Sequence, residues 1–500
     1  MTIARKLSSG TLWVTMATLL GRVGTFLGNI VVIRLLSKIS VGELGLIESW
    51  MGMAVMFATI GLNTSVTKYI AEHLELQPER VGRIVGAALL LTTSTTLLAS
   101  LIVLSGSHWG WWRVAGVSST FIVNYKFLFA GLVAAQVIRA MVNGVIYGVQ
   151  AFSSLVTTNI LIGLASFPTM YALVSCRYLA GALEAKLILT LLETILLSRA
   201  AQLALRKHQV SISVSGCRRE MRQLAALGVP ALLGGVAAGP VQPLMMSWLA
   251  SQPGGIGQVA LITTATRLCS MVNFLPNSVA SILTPILAGE WGNGKPKEFG
   301  RSLTFAMRMF WLSTLPPIIF FLAASPTLIK WLYGADFIEA WPIAFAMLVM
   351  ALLTNLNQTA DRAFIAANRI WLSISNNFVW LLLFIPLAAW WIPKYLGLGY
   401  ATAFLVSFSL YVALQMWWMQ RLLHVKIKPI LLMIGASLSF IVLAGALAFV
   451  KSPRVQITAA VLLAVAAVGF EWRFLLVGSE RQKLMQRLKR GDRAKGSMSK

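Results

Sequence analysis

TLWVTMATLLGRVGTFLGNIVVIRLLS, residues 11–37, is long and apolar enough to cross a bilayer, and it carries Arg22 about halfway along. A hydrocarbon core of roughly 30 Å takes about 20 helical residues, which puts Arg22 near the midplane. A charge at that depth costs about 2.5–3.5 kcal/mol on the insertion scale and normally faces a bundle interior or a water-filled cavity. Two readings follow for Arg22: it pairs with carbonyls or an acidic partner purely for packing, or it lines an anion-binding cavity. The second is the default for an intramembrane charge. Gly21, Gly24 and Gly28 allow close helix approach on the neighbouring faces.

The whole chain repeats this character. Of its 500 residues, 57% are hydrophobic and only 12% charged, about half the charged share of a soluble domain. The 17 Trp and nine Tyr suit interfacial belts or helix–helix packing. A net charge of +26, from 42 basic and 16 acidic residues, would suggest nucleic acid in a soluble protein. Here membrane topology explains it, and neither a fold signature nor interleaved aromatics supports nucleic-acid binding. Cys176, Cys217 and Cys269 show no metal-ligand spacing and no disulfide framework. The N-terminal apolar run continues through Arg22 without a small-residue cleavage site and is read as a retained first span.

Hydropathy and helix breakers predict spans at 11–36, 43–66, 83–105, 124–148, 152–175, 180–204, 224–249, 257–288, 303–323, 341–364, 371–392, 398–420, 429–450 and 456–477. The expected fold class is an all-α polytopic membrane protein of about 14 transmembrane helices. With that layout, roughly 26 Lys and Arg lie on the face shared with the termini and roughly nine on the other, which places both termini in the cytoplasm. The tail RQKLMQRLKRGDRAKGSMSK, residues 481–500, is basic and suits anionic cytoplasmic lipid or disorder. No loop is long enough to house a soluble catalytic domain.

The chain also resembles itself. Glu72 and Glu290 end equivalent spans 218 residues apart (290 − 72), and the same offset relates Asn159 to Asn377, Pro168 to Pro386 and Gly181 to Gly399. RYLAGAL (177–183) echoes KYLGLGYA (394–401) with one residue of slippage. Six spans are an even number, so both copies cross the membrane in the same sense, as two parallel lobes with a substrate site between them. The expected organisation is an N-lobe at 1–204 (spans 1–6), a basic cytoplasmic loop at 205–222, a C-lobe at 223–422 (spans 7–12), spans 13–14 at 423–478 and a basic cytoplasmic tail at 479–500.

Arg267 and Arg139 lie near midplane depth in spans 8 and 4. Under the repeat, Arg22 and Arg267 face each other across the lobes, where an anion such as phosphate would relieve their repulsion. The carboxylates Glu48, Glu193 and Asp361 are candidates for ion coupling or charge pairing. Glu193 either carries a proton or neutralises Arg139, and the pairing is favoured. For Asp361, next to Arg362 at the cytoplasmic end of span 10, an interfacial structural role is favoured over coupling. Pro230 and Pro240, with Pro243, interrupt span 7, while Pro276 and Pro285 interrupt span 8; each is a kink or a hinge. Asn29, Asn63, Gln136, Asn143, Asn159 and Asn377 either line a sugar-tolerant lumen or hold helices together. There is no HExxH, no paired CxxC, no phosphate-binding loop and no GxSxG, and the four His stand in loops. No metal, cofactor or catalytic chemistry is therefore expected.

RLLSKISVGELGLIES (34–49), IGLNTSVTKYIAEH (60–73), NGVIYGVQAFS (143–153), RYLAGAL (177–183) and WLYGADFIEAWPI (331–343) together carry a family likeness. Through them the chain resembles the polysaccharide transporter branch, the O-antigen-type flippases, of the multidrug/oligosaccharidyl-lipid/polysaccharide flippase superfamily. The resemblance implies two six-helix lobes in a V shape, plus two C-terminal helices that help form a lipid groove. It implies alternating access that moves a polyprenyl-pyrophosphate-linked oligosaccharide across the cytoplasmic membrane for surface polysaccharide export. Arg22 and Arg267, with Arg139 near, would hold the pyrophosphate, while the polyprenyl tail stays in membrane lipid and other polysaccharide-assembly proteins act as partners. The alternative is a cation-coupled multidrug exporter of the same superfamily, whose acidic N-lobe pattern Glu48 and Glu193 match poorly.

Overall fold

In a computed structural model, the structure describes residues 21–74, 77–109, 119–236, 239–272, 291, 296–367, 369–423, 428–471 and 473. Among the described residues the regular structure is helical throughout, apart from one 3₁₀ turn at Ala335–Ala340. The protein is an all-helical, polytopic membrane protein. By length and composition, eight described helices can cross a membrane.

In chain order the helices are α1 (21–35), α2 (Lys38–Thr59), α3 (Leu62–His73), α4 (Pro78–Trp109), α5 (Ser119–Gly148), α6 (Phe152–Lys207) and α7 (Arg218–Val236). Then come α8 (Val241–Ser251), α9 (Gly255–Ser270), α10 (Pro296–Leu332), α11 (Trp341–Ala366), α12 (Ile370–Leu423), α13 (Lys428–Ala448) and α14 (Pro453–Phe470). Each expected span meets at least one of them, with two departures. The span expected at 43–66 is not continuous, because Ile60 and Gly61 adopt φ of 44° and 64° and separate α2 from α3. Gly61 tolerates the left-handed region without penalty, and an Ile there is strained. The span expected at 224–249 is likewise split into α7 and α8, with Pro240 directly before α8. Pro230 lies within α7, whereas Pro276 and Pro285 fall outside the described residues.

α6 and α12 each contain two passes. Their interiors break at Tyr178 and Leu396, both with φ 50° and ψ −124°. A Cβ on Gly181 would run into the carbonyl of Leu173, and a Cβ on Gly399 into the carbonyl of Trp391. Residues eight apart in a straight helix stand about 12 Å apart along the axis, so both chains must double back here. All three landmarks, the break, the glycine and the carbonyl it meets, recur at the 218-residue offset. The duplication is therefore visible in the backbone, and without the slippage that RYL and KYL suggest.

The described residues fall into two compact units. The first holds residues through Arg267 together with Leu332–Phe337 and Asn377–Ala403, and the second holds Leu268–Trp331, Ile338–Asn376 and the chain from Phe404 onward. In the first unit α5 packs on α2, α3, α4 and α6. Its core is aliphatic: Val66 and Ile70 of α3, Val81 and Ile84 of α4, Ile146 of α5, Leu197 of α6 and Leu224 of α7 are buried together. α1 lies against the first arm of α6, where Gly21, Gly24 and Gly28 leave no room for a Cβ against Asn159, Gly163 and Ser166. In the second unit Trp311 of α10 donates to the Ser437 hydroxyl of α13 at 2.8 Å, and Thr327 meets Gln456 of α14.

Candidate functional site

Gly42, Gly45 and Glu48 follow one another at three-residue spacing and so share a face of α2. That face lies on α9. A Cβ on Gly42 would run into the carbonyl of Ile256, and one on Gly45 into the hydroxyl of Thr263. At the end of this contact Glu48 meets Arg267 of α9. Its other carboxylate oxygen accepts from Lys186, on the second arm of α6. Glu48 is thus clasped between a guanidinium and an ammonium from two different helices, with its side chain 18% exposed.

A second ion pair adjoins the first. Arg139 Nη1 of α5 donates to Glu193 Oε2 at 2.9 Å, and the Arg139 charge is close enough to act on Lys186. Lys186 and Glu193 are two turns apart on the same face of α6. One turn before Arg139, Gln136 donates to the Met51 sulfur at 3.1 Å and ties α5 to α2. Among the described residues, four helices therefore deliver three cations and two carboxylates to one region. Guanidinium and ammonium groups supply only donors, and phosphate oxygens supply only acceptors, so such a cluster matches an anion of that kind.

The other candidates named from the sequence stand elsewhere. Arg22, on α1, is exposed and lies within electrostatic range of Tyr147. Asn29 donates to the Thr25 carbonyl one turn back at 3.1 Å. Asn63, at the start of α3, is exposed, and its backbone abuts Gly144 of α5. Asn143, Asn159 and Asn377 are half-buried. Asp361 is in the second unit, where Ser373, Gln415 (3.0 Å) and Asn357 (3.2 Å) donate to its carboxylate. Glu184 pairs with Arg177 at 2.7 Å beside the turn in α6.

The second unit carries a neutral counterpart of the Arg139–Glu193 link. The positions 218 residues on are Asn357 and Tyr411, and these two also interact. One turn further, Asp361 and Gln415 join α11 to α12 at the same sequence separation of 54 that separates Arg139 from Glu193. The repeat keeps the cross-link and changes its charge.

A sequence profile described as polysaccharide biosynthesis protein matches residues 7–289, more than half of the chain. The chain belongs to the polysaccharide biosynthesis protein family. No curated protein sequence matches it. Among solved structures, this family member is similar to the lipid II flippase MurJ in an inward closed conformation, at 16% identity and TM-score 0.68 over 93% of this chain and 99% of that one. It is also similar to an inward-facing multidrug resistance MATE transporter of the MOP superfamily, at 14% identity and TM-score 0.67 over 80% of this chain and 94% of the other. A MOP superfamily transporter from Pyrococcus furiosus, whose binding pocket is described as reversed in polarity, matches at 15% identity and TM-score 0.63, over 82% of this chain and 94% of that one. At these identities the likeness establishes the fold alone. The resemblance read from the sequence motifs holds at the level of family.

Lys186 escapes notice in the sequence, although it obeys the rule that singles out Arg139. It is an ammonium six residues inside a predicted span, at a depth where a charge is costly. The Gly42–Gly45–Glu48 face is harder to see, because its meaning depends on α9 lying against it.

Proposed function

We propose that this protein flips a polyprenyl-pyrophosphate-linked oligosaccharide across the cytoplasmic membrane by alternating access, for export of a cell-surface polysaccharide. The observation that carries the proposal is the convergence of Arg139, Lys186 and Arg267 within the spans, against the two carboxylates Glu48 and Glu193. Three cations gathered at such a depth favour a negatively charged ligand. A lipid pyrophosphate supplies that charge along with acceptor oxygens suited to guanidinium recognition. Family membership and the flippase fold support the same reading. Arg22 completes the anion site from the opposite side as the protein cycles, and Asn29, Asn63, Gln136, Asn143 and Asn159 accommodate the glycan.

Both termini, the 205–222 loop and the tail face the cytoplasm, in keeping with the distribution of Lys and Arg. The lobes comprise residues 1–204 and 223–422, spans 13 and 14 border the lipid tail, and Pro230 and Pro240 act as hinges. The membrane potential acts on the anionic cargo at about 2.3 kcal/mol per charge per 100 mV, enough to drive export without a dedicated ion. Proteoliposomes with a labelled polyprenyl-pyrophosphate oligosaccharide test the proposal. Protein-dependent flipping that Arg267→Ala and Arg22→Ala abolish is the expected result, and flipping unaffected by both removes the anion site.

One observation favours a second reading, a cation-coupled exporter. The Asp361 carboxylate accepts hydrogen bonds from the neutral donors Asn357, Ser373 and Gln415 and has the Arg362 charge beside it, whereas Glu48 and Glu193 are bonded directly to cations. Dye efflux driven by a proton or sodium gradient, lost in Asp361→Asn and without any lipid flipping, is the result that selects it.

A further inference from the structure

We propose that Glu48 is a substrate-released latch: in the empty protein its carboxylate occupies the place of the cargo's phosphate and locks α2 to α9. This rests on the flippase reading above and assigns that site its regulation. Three observations carry it.

The first is the graded contact between the two helices. Gly42 against Ile256, then Gly45 against Thr263, then Glu48 against Arg267 form one continuous seam running about 9 Å along α2. Two close-packed glycine layers are capped by a single ionic one. Glycine contacts of this kind close tightly but contribute no directional bond, so between α2 and α9 the ion pair supplies one, beside the 2.9 Å hydrogen bond from Trp50 to Ser247 that ties α2 to α8.

The second is the identity of the partners. By the 218-residue repeat, α2 belongs to span 2 of the first copy and α9 to span 8 of the second, yet α2 and the stretch of α9 through Arg267 fall in one compact unit. The seam therefore joins the two copies of the duplicated fold, the pair of elements that alternating access must separate. In the proposed orientation Gly42 is at the external end, so the seam closes the outer side.

The third is the chemistry of the clasp. Arg267 and Lys186, the cations a diphosphate would bind, are already held by a carboxylate. A diphosphate has more acceptor oxygens and more negative charge than a carboxylate and competes for both cations. Once displaced, Glu48 is repelled by the incoming anion, and the ionic layer of the seam is lost at the moment the cargo arrives. Opening then requires cargo, and an empty carrier does not leak. An unbalanced exchange of this sort shifts a two-state equilibrium only by the difference in affinity for the two states, which the broken α2–α9 link supplies.

The test is thiol labelling in nanodiscs of Thr263→Cys, a buried seam position, with Cys176, Cys217 and Cys269 replaced by alanine. Glu48→Gln and Arg267→Gln, which cut the α2–α9 link from either end, should each speed labelling by about tenfold or more. Lys186→Gln, which cuts only the α2–α6 link, should leave the seam protected; general destabilisation would expose it in all three variants and overturns the latch. A short-chain polyprenyl pyrophosphate should speed labelling of the otherwise unmodified protein and fail to do so in Lys186→Gln. Protection unchanged in both Glu48→Gln and Arg267→Gln overturns the latch, as does a lack of response to the pyrophosphate. Flipping measured on the same preparations separates the two claims. Flipping with an unresponsive seam removes the latch and keeps the flippase, whereas a responsive seam without flipping keeps the latch and removes the assigned cargo.

Discussion

At the scale of single residues, the energetics turn on which charge neutralises which. A carboxylate left in a low-dielectric region without its cation costs far more than the pair itself is worth. Arg139 and Glu193 are only partly buried, so solvent screening reduces the effect of losing one partner to about 1–2 kcal/mol. Glu193→Ala is expected to destabilise the protein by that amount, and adding Arg139→Ala should recover part of it; a double-mutant cycle on thermal unfolding in detergent measures the coupling. Lys186→Ala should lower flipping by about tenfold or more at near-normal protein levels, the loss of one charge-assisted contact to the cargo. Wild-type flipping by Lys186→Ala would remove Lys186 from the anion site. Arg139 and Arg267 are legible in the sequence as costly intramembrane charges. Glu193 is legible too, as the favoured partner of Arg139, whereas the pairing of Glu48 with Arg267 is not, because the two stand 219 residues apart.

At the scale of elements, the chain reversals inside α6 and α12 are the clearest product of the duplication. Each needs a small residue where the returning arm crosses a carbonyl, and Gly181 and Gly399 supply it. Alanine at either position forces the arms apart and should cost about 1–3 kcal/mol, the usual range for overpacking. Because the two geometries match, Gly181→Ala and Gly399→Ala should lower the melting temperature to a similar degree. Gly52→Ala is the control: open space surrounds that helical glycine, and alanine there should be neutral or stabilising by up to about 1 kcal/mol. A large loss in Gly52→Ala, or none in the other two, would contradict the packing. The Gly pair and the Pro168–Pro386 pair give the repeat in the sequence, but the register becomes unambiguous only from the matching dihedrals at Tyr178 and Leu396.

At the scale of the whole molecule, duplication has kept architecture and dropped charge symmetry. Arg139 and Glu193 in the first copy answer to Asn357 and Tyr411 in the second, and Lys186 answers to Phe404. In the proposed anion site the first copy would supply Arg139 and Lys186, and the second copy Arg267 through α9. Topology is testable at the same scale. Single cysteines in the 205–222 loop and in the tail should react with an impermeant thiol reagent from the cytoplasmic side only; external labelling of either would invert the proposed direction of transport.

The placement of the apolar helices, the duplication and the family are all legible in the amino-acid order, because each rests on properties that recur along the chain. A helix in lipid must satisfy its own backbone hydrogen bonds and present apolar side chains, so hydropathy alone locates it. Three-dimensional packing was needed to show that α2 breaks from α3 at Ile60 and Gly61, that α9 seats on Gly42 and Gly45, and that Glu48 is shared by Lys186 and Arg267. Those outcomes depend on which helix faces meet, and a contact between distant stretches leaves no periodic trace in either of them.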